Sequence, residues 1–206
     1  MLKRTLGRAL LILLVVTGLA GIENDTAPSK QERKTAVSLL KETRADVLNT
    51  IKGLSETQLN FKASPEKWSV KECMYHIAIS EKNLWAIMEG AMKSQANPEK
   101  RAEIKITDEQ LIEMMEDRSS KVKTVESFEP KSTPYQYLDD AVNAFKVMRA
   151  DHIKYMKSTT EDMRNHVVQM TFGWLDCYQL CLMIASHSNR HMQQMKEVIA
   201  DTDFPK

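Results

Sequence analysis

At 206 residues, with 42% hydrophobic and 28% charged residues, the chain suits one ordinary domain with its own core. A formal net charge of +1 at pH 7 argues neither for nucleic acid nor for an anionic membrane surface as a partner, and no nucleic acid is expected. Six Gly and six Pro among abundant Met, Leu, Ala, Lys and Glu favour helix, and no long β-branched or aromatic alternation predicts a sheet.

Residues 1–20 read as a signal peptide. Lys3, Arg4 and Arg8 form a basic start, Ala9 to Ala20 carries no charge, and Gly18 and Ala20 stand at −3 and −1 of a cut after Ala20. The run is short for a membrane span, which needs about 20 apolar residues. The expectation is therefore export, to the periplasm or outside the cell, with an uncleaved N-terminal anchor as the alternative. A short linker, 21–28, leads to a helical domain over 29–206. Cys73, Cys177 and Cys181 do not form a disulfide pattern and read as small apolar core residues.

Helix starts are marked by Ser or Thr with Glu or Gln three residues later, a spacing that lets two side chains satisfy each other's free backbone N–H groups. The pattern stands at Ser29–Glu32, Ser69–Glu72, Thr107–Gln110 and Thr133–Gln136, and at Ser55–Gln58, where little room is left for a long helix. The predicted helices run over about 29–52, stopped by Gly53, then 69–91, 107–126, 133–158 and 174–199. The helix over 107–126 has a thin apolar stripe and is expected at the outside or at a bundle end. Together they predict an all-α, antiparallel four-helix bundle with one extra helix. Trp68, before the cap at Ser69, and Cys73 suit a hydrophobic staple.

Three histidines fall on inward faces. His187 and His191 lie one turn apart on the last helix, and His76 shares a face of the second with Cys73, Ser80, Asn83 and Ile87, all within about 60° of a mean direction. Neutral imidazoles suit a divalent Zn, Ni, Fe or Cu ion, and three ligands leave a position open for water or substrate. Packed core histidines are the alternative. Gln194, on the same face, could hydrogen-bond a water or a ligand histidine, or simply be polar at the bundle end. His152, on an inward stripe of the fourth long helix in chain order, could shuttle protons or sit hydrogen-bonded in the core. Glu72 could orient His76, although its cap already accounts for it, and Asn83, two turns from His76, could line the cavity but reads rather as packed or solvated. His166, in a turn-rich stretch, is expected to be exposed, and Trp85 to face a neighbouring element or a partner subunit.

The run Trp68-Ser69-Val70-Lys71-Glu72-Cys73-Met74-Tyr75-His76-Ile77-Ala78 resembles the opening of the second helix in the DinB/YfiT-like family. His187-Ser188-Asn189-Arg190-His191-Met192-Gln193-Gln194-Met195, with Phe204-Pro205, resembles the end of that family's domain, and Gly53-Leu54-Ser55-Glu56-Thr57-Gln58-Leu59 resembles its upstream phrase. The likeness extends from about residue 30 to 206. It implies a four-helix bundle whose triad, here His76, His187 and His191, binds one divalent metal, commonly zinc or nickel, often in a homodimer. Characterised relatives include bacillithiol- or mycothiol-dependent S-transferases and isomerases, and metal-dependent hydrolases. The expected function is thus a metal-dependent hydrolase or thiol S-transferase acting on a small molecule, with a non-catalytic metal- or partner-binding bundle as the alternative. An exported chain without an evident basic cluster sits awkwardly with a cytosolic anionic thiol.

Overall fold

The computed structural model describes residues 27–120 and 123–206. The signal segment 1–20 and residues 21–26 of the linker lie outside the described residues. Four long helices, α1 (Lys30–Ile51), α3 (Val70–Lys93), α5 (Leu138–Ser158) and α6 (Cys177–Ile199), form the bundle. Shorter α2 (Glu56–Asn60) and α4 (Asp108–Glu116) lie in the connections. The capping boxes at Ser29, Ser55, Ser69 and Thr107 are all formed, so four helix starts follow directly from local sequence. Gly53 sits at φ +78°, where an L side chain is strained, and ends the turn after α1.

The helices form a ring in the order α1, α5, α3, α6. Cys177 Sγ, at the start of α6, lies beside the Met88 carbonyl late in α3, while His187 and His191 meet His76 early in α3. The α3/α6 pair is therefore antiparallel. Ala36 and Leu40 share a cluster with Ile153 and Met156, and Val47 shares the other with Ala141 and Phe145, so α1/α5 is antiparallel too. In contrast, Glu81 meets Arg149 and Trp85 meets Tyr155, so α3 and α5 run parallel. Tyr178 Oη donates to the Glu32 carbonyl, which sets α6 parallel to α1. Parallel neighbours cannot be joined by a short turn. The link from α3 to α5 must travel the length of the bundle, and it carries α4 and three short 3-10 turns.

Several boundaries differ from the sequence expectation. The helix expected over 107–126 ends at Glu116, where the Asp117 carboxylate accepts from Ser119 N and Oγ at 2.8 and 2.7 Å and turns the chain. The box at Thr133 is not used: its Oγ1 accepts from Tyr135 N at 3.3 Å, and α5 starts only at Leu138. The helix expected from Trp174 starts at Cys177, because Asp176 caps it with Gln179. Trp174 instead belongs to a two-stranded antiparallel hairpin, β1 (Val167–Met170) and β2 (Gly173–Asp176), the small amount of sheet in a chain from which almost none was expected. His166 is half-buried, not exposed, with Nδ1 2.9 Å from the Ala91 carbonyl. The three cysteines are free and buried, as core residues. Among the described residues no helix is long and apolar enough to cross a membrane.

The bundle has two apolar clusters. One gathers Leu40, Met88, Met156 and Leu180; the other gathers Val47, Ile77, Phe145 and Met195. Between them runs a band of buried polar side chains to which every long helix contributes: Thr43, Ser80 and Glu81, Arg149 and His152, Ser186 and Ser188. Arg149 is wholly buried. It donates to both Glu81 oxygens at 2.7 and 2.6 Å, to Thr43 Oγ1 at 2.7 Å, to Ser188 Oγ at 2.8 Å and to the Leu40 carbonyl at 3.1 Å. His152 Nδ1 lies 2.7 Å from the same carboxylate, and the Trp85 ring stacks on the His152 ring at 3.6 Å. Trp85 thus finds its contact inside the chain.

Candidate metal centre

His76 stands in the second turn of α3, and His187 and His191 occupy successive turns of α6. The antiparallel contact of these helices brings the three rings together, His191 edge to face with both His76 and His187. Nε2 of His187 lies 3.1 Å from Nε2 of His76 and 3.2 Å from Nε2 of His191. All three ligand atoms fall within 4.8 Å of one another, so the cluster could hold a metal ion.

The outer nitrogens fix the direction of the inner ones. His76 Nδ1 is 2.6 Å from the Phe128 carbonyl. A carbonyl only accepts, so Nδ1 carries the hydrogen and Nε2 presents a lone pair. His191 Nδ1 faces Gln194 Oε1 at 2.9 Å, with the same consequence. Two lone pairs therefore converge on His187 Nε2. A hydrogen on His187 Nε2 serves both in the metal-free cluster; were an ion held here, that nitrogen would be its third ligand, with the hydrogen on Nδ1. Two nitrogens at about 2.05 Å from zinc are about 3.3 Å apart at the tetrahedral angle and about 2.9 Å at a right angle. The observed 3.1 and 3.2 Å fall between these values. The donor set fits a borderline divalent ion.

Burial keeps the cluster neutral. It lowers the His76 pKa from 6.5 to about 4, against a raising effect of the Phe128 carbonyl. It also holds His187 and His191 well below the ordinary value, with the neighbouring imidazoles adding to the effect. Neutral imidazole is the metal-binding form. The Trp68 ring covers the cluster, its centroid 4.9 Å from His76 and 5.8 Å from His191, while His187 keeps partial exposure.

The crossover is tied down around this site. Arg190 donates to the carbonyls of Asp117 and Ser120, the latter at 2.6 Å. Arg118 reaches back to Glu197 on α6 with two bonds of 3.0 and 2.6 Å.

The structure thus brings together His76, His187, His191 and Gln194 from the sequence candidates. His152 belongs to the Glu81–Arg149 pair and makes none of the hydrogen bonds within the cluster. Glu72 caps α3, and Asn83 is half-buried without bonding the triad. Sequence reasoning missed Phe128, which acts through its main chain and has no side-chain signature. It also missed Trp68 as a cover, reading it only as part of a staple.

These features agree with the comparisons. The chain belongs to the DinB superfamily, whose family model matches residues 39–195. It is 28% identical over 169 residues to the uncharacterized protein YuaE of Bacillus subtilis strain 168, covering 79% of this chain and 96% of that protein. YfiT from Bacillus subtilis, described as a probable metal-dependent hydrolase with an unusual four-helix bundle topology, shares the fold. Its TM-score is 0.57 at 12% identity, covering 83% of this chain and 87% of that one.

Proposed function

We propose that this chain holds one divalent ion, zinc or nickel, through His76, His187 and His191, and is a metal-dependent hydrolase of a small molecule. The convergence of three Nε2 atoms, two of them with lone pairs fixed inward by Phe128 and Gln194, carries the reading. The description of YfiT as a probable metal-dependent hydrolase supports the reaction class. A divalent ion in such a setting polarises a substrate carbonyl and makes bound water acidic near neutral pH. The chain's own contributions are separate. Phe128 and Gln194 hold the tautomers, Trp68 keeps bulk water from one side, and the partly exposed edge of His187 leaves an approach for substrate. We also propose that the domain is exported; the basic start and uncharged run of residues 1–20 support this, and N-terminal sequencing of protein from the native host tests it.

The deciding experiment is elemental analysis of the tag-free protein and its His76→Ala and His187→Ala variants, followed by a panel of ester and amide substrates. About one ion per chain, lost in both variants, with hydrolysis abolished by chelation and restored by zinc or nickel, is the expected result. No ion in the wild type after exposure to both metals overturns it. An ion without hydrolysis across the panel would favour a non-catalytic metal-binding bundle.

A further inference from the structure

One turn beyond His76 on α3, Ser80 lies in the polar band and is 1% exposed. Its Oγ has no hydrogen-bond partner, a condition shared only with Arg44 Nε among the buried side-chain N and O atoms of the described residues. Neighbouring hydroxyls behave differently. Thr43, Ser186 and Ser188 each donate to the carbonyl four residues earlier, at 2.8, 3.0 and 3.2 Å. Ser80 makes no such bond to the His76 carbonyl. A buried hydroxyl with no partner is costly, and in native proteins it commonly marks an internal water or a ligand.

The location of this hydroxyl is set by helix geometry. At 100° per residue Ser80 lies about 40° round α3 from His76, on the face turned to α6. Helical side chains lean toward the N-terminus, so Oγ covers the turn that carries His76. Glu81, the next residue, turns to α5 and is taken by Arg149 and His152. Ser188, beside His187 on α6, is taken by Arg149. Among the described residues Ser80 is thus a buried hydroxyl next to this turn with both its donor and its acceptor capacity unused.

We propose that Ser80 is a positioning residue of the metal centre: its hydroxyl hydrogen-bonds a resident water molecule beside the triad and orients that oxygen toward the ion. The inference rests on the reading of the triad as a metal site. Ser80 is sealed from the surface, which favours a resident water over a substrate atom arriving with each turnover. A serine hydroxyl both donates and accepts, so it can hold such an oxygen in either orientation.

Zinc and nickel affinity, measured by chelator competition on the full domain, tests this, together with unfolding temperature in excess chelator. Ser80→Ala is expected to weaken both affinities about tenfold, at the lower edge of effects seen for groups behind metal ligands. Ser80→Thr, which keeps the hydroxyl, is expected to stay within about twofold of wild type. The metal-free unfolding temperature of Ser80→Ala should move by no more than about 4 °C, the scale of one lost hydrogen bond to the resident water. Wild-type affinity in Ser80→Ala overturns the proposal while leaving the metal site intact. A fall of more than about 4 °C in its metal-free unfolding temperature also overturns it, by placing the effect in packing. Failure of the wild type itself to bind zinc or nickel overturns the metal reading and this inference with it.

Discussion

Replacing Arg149 by Met removes the five hydrogen bonds of its guanidinium and leaves Glu81 buried with His152 alone. Breaking a buried ion pair from one side costs about 3–5 kcal/mol. At about 2–4 °C per kcal/mol for a domain of this size, the unfolding temperature should fall by roughly 6–20 °C. The pH dependence has a sign that can be checked. Burial alone raises the Glu81 pKa, but the charge and hydrogen bonds of Arg149, with a smaller contribution from His152, hold it below 4.5. In the wild type the carboxylate therefore contributes stability above its ordinary pKa, and that contribution is lost as pH falls through the lowered value. In Arg149→Met burial dominates and the carboxyl pKa rises, so the deficit should be largest near pH 7 and shrink toward pH 5. Urea unfolding followed by far-UV circular dichroism at both pH values measures this. The double variant Arg149→Met/Glu81→Met removes the orphaned charge and should recover most of the loss, since buried pairs are often replaced by apolar groups at little cost. A single-variant loss below about 1 kcal/mol, or a double variant no better than the single, would refute the reasoning.

Two further outcomes follow from the metal centre. Gln194→Ala frees His191 Nδ1 from its 2.9 Å partner and should weaken zinc binding about 10- to 100-fold by chelator competition, without unfolding the bundle. The metal-free protein should lose stability on acidification. The unfolded chain takes up a proton near pH 6.5, whereas folded His76 takes one only at about 4, so stability falls as pH drops through that window. His76 alone accounts for about 2 kcal/mol at pH 5. Urea midpoints in chelator at pH 7 and pH 5, compared with His76→Gln, measure it; equal pH dependence in the two proteins would count against the assignment.

The centre was readable in sequence because metal ligation imposes spacing. His187 and His191 are one turn apart, and His76 shares its face with Cys73, which is buried. Helix starts were readable where Ser or Thr opened a box, and the α6 start was misplaced because Asp176 performs the same task with a carboxylate. Thr133 shows the reverse error: the right spacing, but a hydroxyl occupied by the Tyr135 N–H. Arg149 escaped notice because a charged residue breaks an apolar stripe, and only its partners on three other helices, distant in sequence, make its burial tolerable. The parallel pairing of α3 with α5 left a trace only in the length of the crossover.

That same guanidinium also sets the axial register of the bundle. It draws on α1 through Leu40 and Thr43, on α3 through Glu81 and on α6 through Ser188, all at one level. Apolar stripes tolerate a slip of one helical turn, about 5.4 Å, because one leucine replaces another. The guanidinium does not, since each slip would take a partner out of reach. The helices are thereby held in a single vertical setting, and the imidazoles of α3 and α6, which must meet to within a few tenths of an ångström to share an ion, take their alignment from a charge buried elsewhere in the band.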